Sequence, residues 1–288
     1  EVVVFPCAEQ RSGTARVHVR GEGAGRLPEN ERHLVVRVLR DTLASLNHPM
    51  PGLRLECDNR IPHSRGLGSS AAAIVAGIAA GYALAGRELT DDLPRALHLG
   101  ASYEGHADNV AASLLGGFVI AWHDGGAHGW YRAVRMDPHP DLSPVAFVPG
   151  TESATRTTRG LLPERVPHAD AAFSAGRAAL AVHGLSRDPS VLLTALDDRL
   201  HEEYREPAWP ETVRLVRELR RLGVPAAVSG AGPTVVAFPP DGQVPPELAH
   251  PGFTARQLPL EYAGVCVEPV AEGAHGAQEA TFRPRQQR

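Results

Sequence analysis

One segment constrains the fold more than any other: IPHSRGLGSSAAAIVAG, residues 61 to 77. It follows a strand-like run, Leu53–Cys57, and opens a helix-like run of small residues, Ser69–Ala85. A strand, a loop with two glycines, paired serines and an Ala-rich helix make a phosphate cradle. Glycines let the backbone approach an anion, and the free amides of a helix N-terminus face it with a favourable dipole. Ser69 and Ser70 can donate hydroxyls to phosphate or ligate Mg²⁺, and Ala71, Ala72 and Ala73 let the helix pack close to a sheet. A serine-capped glycine turn would explain GLGSS alone. The longer pattern P-x-x-x-G-L-G-S-S-A-A, from Pro62 to Ala72, is more specific.

Composition narrows what such a cradle can serve. All 29 basic residues are arginine, and no lysine occurs at any position. That excludes a Walker A loop, the protein-kinase fold and pyridoxal-phosphate chemistry, each of which needs a lysine. The 29 cations sit against 33 acids for a net charge of −4, and no basic run exceeds the pair Arg220-Arg221. No nucleic-acid surface is expected from that pattern. No window approaches a membrane span of apolar residues, so no membrane association is expected. The three cysteines, Cys7, Cys57 and Cys266, have neither metal-ligand nor disulfide-framework spacing, which points to a reducing cytoplasm. The first residues, EVVVF, read as a strand already inside a domain.

At 288 residues, one large or two smaller domains are expected. Strands are predicted at Val2–Phe5, Thr14–Arg20 and Leu53–Cys57, then near Phe118–Trp122, Tyr131–Arg135 and Val145–Val148. Helices are predicted over Glu29–Leu46, Ser69–Ala85 and Asp92–Leu115. The stretch Pro138–Pro144 reads as a boundary. Past it, helices are expected near Ser153–Leu162, Ala169–His183, Ser190–Leu200 and Glu211–Leu222. Strands at Ala226–Ser229, Thr234–Phe238, Phe253–Leu258 and Gly264–Val270 complete an α+β pattern. The polar tail from Ala271 is expected to be disordered.

The segment from Pro62 to Ala72 resembles the second motif of the GHMP superfamily, the galactokinase, homoserine kinase, mevalonate kinase and phosphomevalonate kinase group. Those enzymes bind ATP without a Walker lysine. Within that superfamily the chain resembles the homoserine kinases over nearly its whole length. The resemblance implies an α+β protein of the GHMP kinase fold, made of two-layer α/β sandwiches. An N-terminal ribosomal-protein-S5-like, ATP-binding domain would cover residues 1–141 and a ferredoxin-like α+β domain residues 142–270, with the tail at 271–288. It implies phosphorylation of L-homoserine by ATP with Mg²⁺ in threonine biosynthesis, small-molecule partners only, and room for a homodimer. Two alternatives are another small-molecule kinase of the superfamily and a non-catalytic nucleotide- or metabolite-binding relative.

Residue roles follow from the same resemblance. Pro62, His63, Ser64, Arg65, Gly66, Leu67, Gly68, Ser69, Ser70, Ala71 and Ala72 would hold the nucleotide, with Ser70 also on the metal. VSGAGPTVVAF, residues 228 to 238, is similar to the third motif and adds Ser229, Gly230 and Gly232. EGHADNVAASLLGGF, residues 104 to 118, resembles a His-x-Asp-Asn helix start facing the substrate. There Asp108 would pair with the substrate ammonium, supported by Asn109, and His106 would hydrogen-bond the substrate. TRTTRGLLP implies Arg159 on the substrate carboxylate and Thr155 at the hydroxyl end or the transferred phosphate. DRLHEEYREP implies a second carboxylate-binding arginine, Arg205. Ser70, Asp108 and Thr155 are thus the candidate catalytic residues.

Two departures stand out. The superfamily's first motif, of the type P-x-S-x-N-L-G-x-G-F-D, is absent, and a chain without it would expose a sheet edge. The family also carries a Mg²⁺-binding Glu eight residues ahead of the motif His, a position filled here by His98, a poor Mg²⁺ ligand. Ligation by any carboxylate stays open.

Overall fold

The computed structural model describes residues 1–126, 129–150, 160–243, 250–270 and 279–282. They divide into two compact units. The first comprises Glu1–Pro62, Gly68–Arg135 and the described residues from Glu261 onward; the second comprises His63–Leu67 and Met136–Leu260.

In the first unit β1 (Val2–Pro6), β2 (Ala15–Gly21), α1 (Leu34–Ser45) and β3 (Leu53–Asn59) come first along the chain. β2 shows the period of a half-buried strand: Ala15, Val17 and Val19 are buried, while Arg16, His18 and Arg20 are exposed. It pairs in parallel with β3, from Ala15 opposite Leu53 to Gly21 opposite Asn59. A parallel pair needs a crossover, and α1 supplies it. β1 pairs antiparallel with β3, Val4 opposite Leu55.

The helical layer of this unit is α2 (Ser69–Leu84), α3 (Leu93–Glu104) and α4 (Asp108–Leu115), followed by a hairpin of β4 (Phe118–His123) and β5 (Tyr131–Met136). Small residues on α2 set how closely α1 approaches. A Cβ on Gly77 would lie 2.7 Å from the Val35 carbonyl oxygen, and one on Gly81 would lie 2.7 Å from Thr42 Cβ. Ile74, Val75, Ile78 and Tyr82 are buried beside them in one core with Val36, Leu39, Leu43, Leu53 and Leu55.

The second unit holds β6 (Val145–Pro149), α5 (His168–Ser186), α6 (Leu192–Ala195), α7 (Glu202–Arg205), α8 (Pro210–Arg221), β7 (Ala226–Val228), β8 (Val235–Ala237) and β9 (Phe253–Gln257). Its sheet has the order β7-β8-β6-β9, antiparallel throughout. α8 is amphipathic: Leu215, Val216 and Leu219 are buried with Val145, Phe147 and Val235 of the sheet.

Several elements differ from expectation. The helix expected over Glu29–Leu46 begins at Leu34. Asn30 accepts the Arg32 amide and Glu31 accepts that of Ala15, so one local bond and one to the start of β2 hold this stretch as turns. The helix expected over Asp92–Leu115 is two, because Gly105 adopts a left-handed φ of 79° and ends α3. The helix at Ser190–Leu200 stops at Ala195, and Asp198 Oδ2 takes the amides of Leu200, His201 and Glu202 instead. The strand expected over Gly264–Val270 is reduced to β10 (Glu268–Val270). Of the helix expected at Ser153–Leu162, residues 151–159 lie outside the described residues and Gly160–Leu162 form turn and bend.

The tail expected to be disordered contributes β11 (Glu279–Phe282). It pairs with β10 and with β1, Val2 opposite Phe282, giving the five-stranded order β10-β11-β1-β3-β2. A polar composition does not prevent strand formation when a neighbour offers an unpaired backbone edge. β1 is therefore flanked on both sides.

Candidate functional site

The glycine loop belongs in part to each unit, and each part has its own geometry. In the second unit, Gly66 has a φ of 75°, and a Cβ there would lie 2.3 Å from the Ser229 carbonyl oxygen and 2.9 Å from that of Gly232. Only glycine fits. Ser229 Oγ donates to the Gly66 carbonyl at 2.7 Å, and the Thr234 amide donates to the Arg65 carbonyl at 3.3 Å. The hydroxyl expected to face phosphate is thus spent on holding the loop. Arg65 is turned toward main-chain carbonyls: Nε donates to Pro149 at 2.9 Å and Nη2 to Gly150 at 3.1 Å. Ser64, between His63 and Arg65, is exposed with a φ of 56°.

In the first unit, Gly68 has a φ of 71° and stands at the N-cap of α2 without a side-chain cap bond. The first intrahelical bond runs from the Ala72 amide to the Gly68 carbonyl at 2.9 Å. The amides of Ser69, Ser70 and Ala71 therefore have no partner within the helix. Ser70 is exposed and Ser69 half-buried, while Ala71 is buried as the helix enters the core. Pro62 is half-buried ahead of this turn, and Leu67 is half-buried within the loop.

The third motif forms a turn between β7 and β8. Gly230 and Gly232 have φ values of 57° and 79°, the Gly232–Pro233 bond is cis, and the Gly232 amide donates to the Ser229 carbonyl at 2.9 Å. Arg205, at the end of α7, is buried and donates from Nη1 to the Gly230 carbonyl at 3.3 Å. On the same short helix, Glu202 forms a bidentate pair with Arg220 at 2.8 and 3.0 Å. Arg220 also donates to the carbonyls of Ala226 and Leu196. Burial pushes the Glu202 carboxyl up and the Arg220 charge pulls it back.

The corner between α3 and α4 brings the His-x-Asp-Asn residues together. His106 Nδ1 lies 2.6 Å from Asp108 Oδ1, which also accepts the Asn109 amide at 2.6 Å. The Asp108 side chain is 73% exposed. Asn109 Oδ1 lies 3.7 Å from where a Cβ on Gly68 would sit, so the starts of α4 and α2 adjoin. Asp108 is the first residue of α4, where a carboxylate faces the helix dipole favourably.

Sequence reasoning left Glu104 open as a metal ligand and did not single it out. Counting eight residues back from His106 along one continuous helix leads to His98, but α3 ends at Glu104, so that count does not follow a single helix face. His98 stacks on Trp130, with ring centroids 4.6 Å apart and 20° between planes, and it packs near Tyr131. Glu104 immediately precedes Gly105, and its Oε2 is buried without a hydrogen-bond partner among the described residues. A buried, unsatisfied carboxylate oxygen is costly unless a cation joins it. The signal was the Glu-Gly pair, since Gly is a helix stop. Thr155 and Arg159 lie outside the described residues.

Comparison with known proteins shows the family. The family model for the GHMP kinases N terminal domain matches residues 33–117, and that for the GHMP kinases C terminal matches residues 181–251. A homoserine kinase of Streptomyces avermitilis is 50% identical over 259 residues, covering 88% of this chain and 84% of that protein. A homoserine kinase of Clavibacter michiganensis is 43% identical over 267 residues, 90% of this chain and 84% of that one. The crystal structure of homoserine kinase from Cytophaga hutchinsonii superposes with a TM-score of 0.75 at 25% identity, covering 91% of this chain and 86% of its own. The chain accordingly has the GHMP kinase fold and belongs to the homoserine kinases of that family.

Proposed function

We infer that the protein is an ATP-dependent homoserine kinase, which moves the terminal phosphoryl group of ATP to the side-chain hydroxyl of L-homoserine, giving O-phospho-L-homoserine and ADP. The observation that carries this reading is the 50% identity to a homoserine kinase across 84% of that protein's length. The enzyme serves threonine biosynthesis in the cytoplasm, where ATP is supplied. Exposed Ile120, Trp122 and Val134 on the outer face of the β4–β5 hairpin support a homodimer.

The residues divide the work. Residues Gly66 to Ala72 bind the triphosphate through backbone amides, with the dipole of α2 favouring the negative charge. Glu104, through its orphaned oxygen, and Ser70, through its exposed hydroxyl, would hold Mg²⁺, which would supply charge neutralisation at the transferred phosphoryl group. Asp108 holds the homoserine ammonium, with Asn109 and His106 fixing the carboxylate's orientation. Arg159 and Arg205 hold the substrate carboxylate, and Thr155 lies toward the hydroxyl end. No strong general base is assigned, because phosphoryl transfer draws mainly on positioning and charge stabilisation.

The test is a coupled ADP-release assay with ATP, Mg²⁺ and L-homoserine. Turnover with homoserine well above that with mevalonate is expected. Clear ATP binding with no turnover of homoserine would defeat the reading.

A further inference from the structure

Arg65 sits inside the phosphate loop and carries the right charge for a phosphate, yet its guanidinium faces the protein. All three of its nitrogens donate to main-chain carbonyls: Nε to Pro149 at 2.9 Å, Nη2 to Gly150 at 3.1 Å and Nη1 to His63 at 3.0 Å. Two of these acceptors lie at the end of β6 and the third in the loop itself. The planar fork of an arginine suits several carbonyls at once, whereas an ammonium is a single point charge. The main chain of the loop is tied to the same unit, at Arg65 by the Thr234 amide and at Gly66 by Ser229 Oγ. The loop also contains Ser64 at a φ of 56°, a conformation that a non-glycine residue holds only when its surroundings impose it.

We propose that Arg65 is a positioning residue: it clips the phosphate loop to the end of β6, so that the loop amides are set for ATP before the nucleotide arrives. It does not bind phosphate itself. This rests on the reading of Gly66 to Ala72 as the triphosphate cradle. A preset loop spends less of its binding free energy on ordering, so loss of the clip weakens nucleotide binding rather than the chemical step.

The experiment uses the whole chain with Arg65→Met and Arg65→Lys. Binding of a fluorescent ATP analogue is titrated at several salt concentrations, beside steady-state kinetics with homoserine. Arg65→Met should raise the dissociation constant about tenfold, and Arg65→Lys about threefold, each having lost charge-assisted bonds. Turnover number should stay within about twofold of wild type, because the lost bonds are made equally in ground and transition states. Free guanidinium should restore part of the Arg65→Met loss. The salt dependence of binding should match wild type, since no phosphate contact has been removed.

A shallower salt dependence in Arg65→Met would overturn the proposal by making Arg65 a phosphate ligand. An unchanged dissociation constant in a folded variant would overturn it as well. If Arg65→Met does not fold, Arg65→Lys decides: wild-type affinity there rejects the clip. Loss of native circular dichroism in both variants would also reject it, by making Arg65 a requirement for folding of the second unit. Wild-type protein that binds the analogue but does not phosphorylate homoserine would defeat the kinase reading and leave the binding test of Arg65 intact.

Discussion

The phosphate loop and the α3–α4 corner are built on opposite principles. At the loop, main-chain carbonyls of Ser229 and Gly232 press against Gly66, and the loop residues that matter have little or no side chain to spare. At the corner, a left-handed Gly105 ends one helix and releases Glu104, His106 and Asp108, whose polar side chains set its chemistry. The first region should be intolerant of added atoms. The second should tolerate changes of size but not of charge.

That contrast can be broken by a single methyl group. Gly66→Ala places a Cβ 2.3 Å from a backbone oxygen, at a φ of 75°. The strain and clash together are worth about 4 kcal/mol, so kcat/KM for ATP should fall about a thousandfold, measured by steady-state kinetics. A variant within tenfold of wild type would show that the loop yields after all.

Next in size is the pair behind the third motif. Arg220→Met leaves the Glu202 carboxylate buried without its partner, which should cost about 3 kcal/mol in urea unfolding. With Arg220 gone, nothing comparable offsets the burial that raises the Glu202 pKa. A carboxyl whose folded pKa stands above its unfolded value stabilises the fold below the unfolded pKa, and that contribution is lost as pH rises through the folded pKa. The deficit of Arg220→Met should therefore be smaller near pH 5 than near pH 8.

The corner is tested by changes that keep shape. Glu104→Gln preserves every heavy-atom position but removes the charge, and turnover should drop about a hundredfold at fixed Mg²⁺. Binding of the ATP analogue without metal should not move. The smallest effect belongs to His98. Its replacement by Ala removes the stack on Trp130 and should cost about 1 kcal/mol of stability while activity stays within about twofold. A loss of activity at His98 equal to that at Glu104 would move the metal site and reverse the assignment.

Much of the fold was readable wherever one period dominated. β2 alternates cleanly, and the buried stripe of α8 recurs at helical spacing, so both were located to within a residue or two. The cradle was readable because its residues are contiguous and each has a local reason. The corner was not, because a helix pattern continues across Gly105 while the backbone does not. β11 escaped for a different cause. A four-residue strand is too short for its alternation to stand out, and the partner that induces it, β1, lies at the other end of the chain.

Local backbone chemistry thus determined by itself that the chain would carry a lysine-free glycine-serine turn ahead of a small-residue helix, since glycine, serine and alanine act on their immediate neighbours. Only the tertiary structure decided which carboxylate faces inward at the α3–α4 corner, and that Arg65 and Ser229 hold the loop rather than reach from it. Those outcomes depend on which buried polar atoms lack a partner and which carbonyls come within hydrogen-bond reach. Such distances are set by packing between residues far apart in the chain, and no spacing along the sequence encodes them.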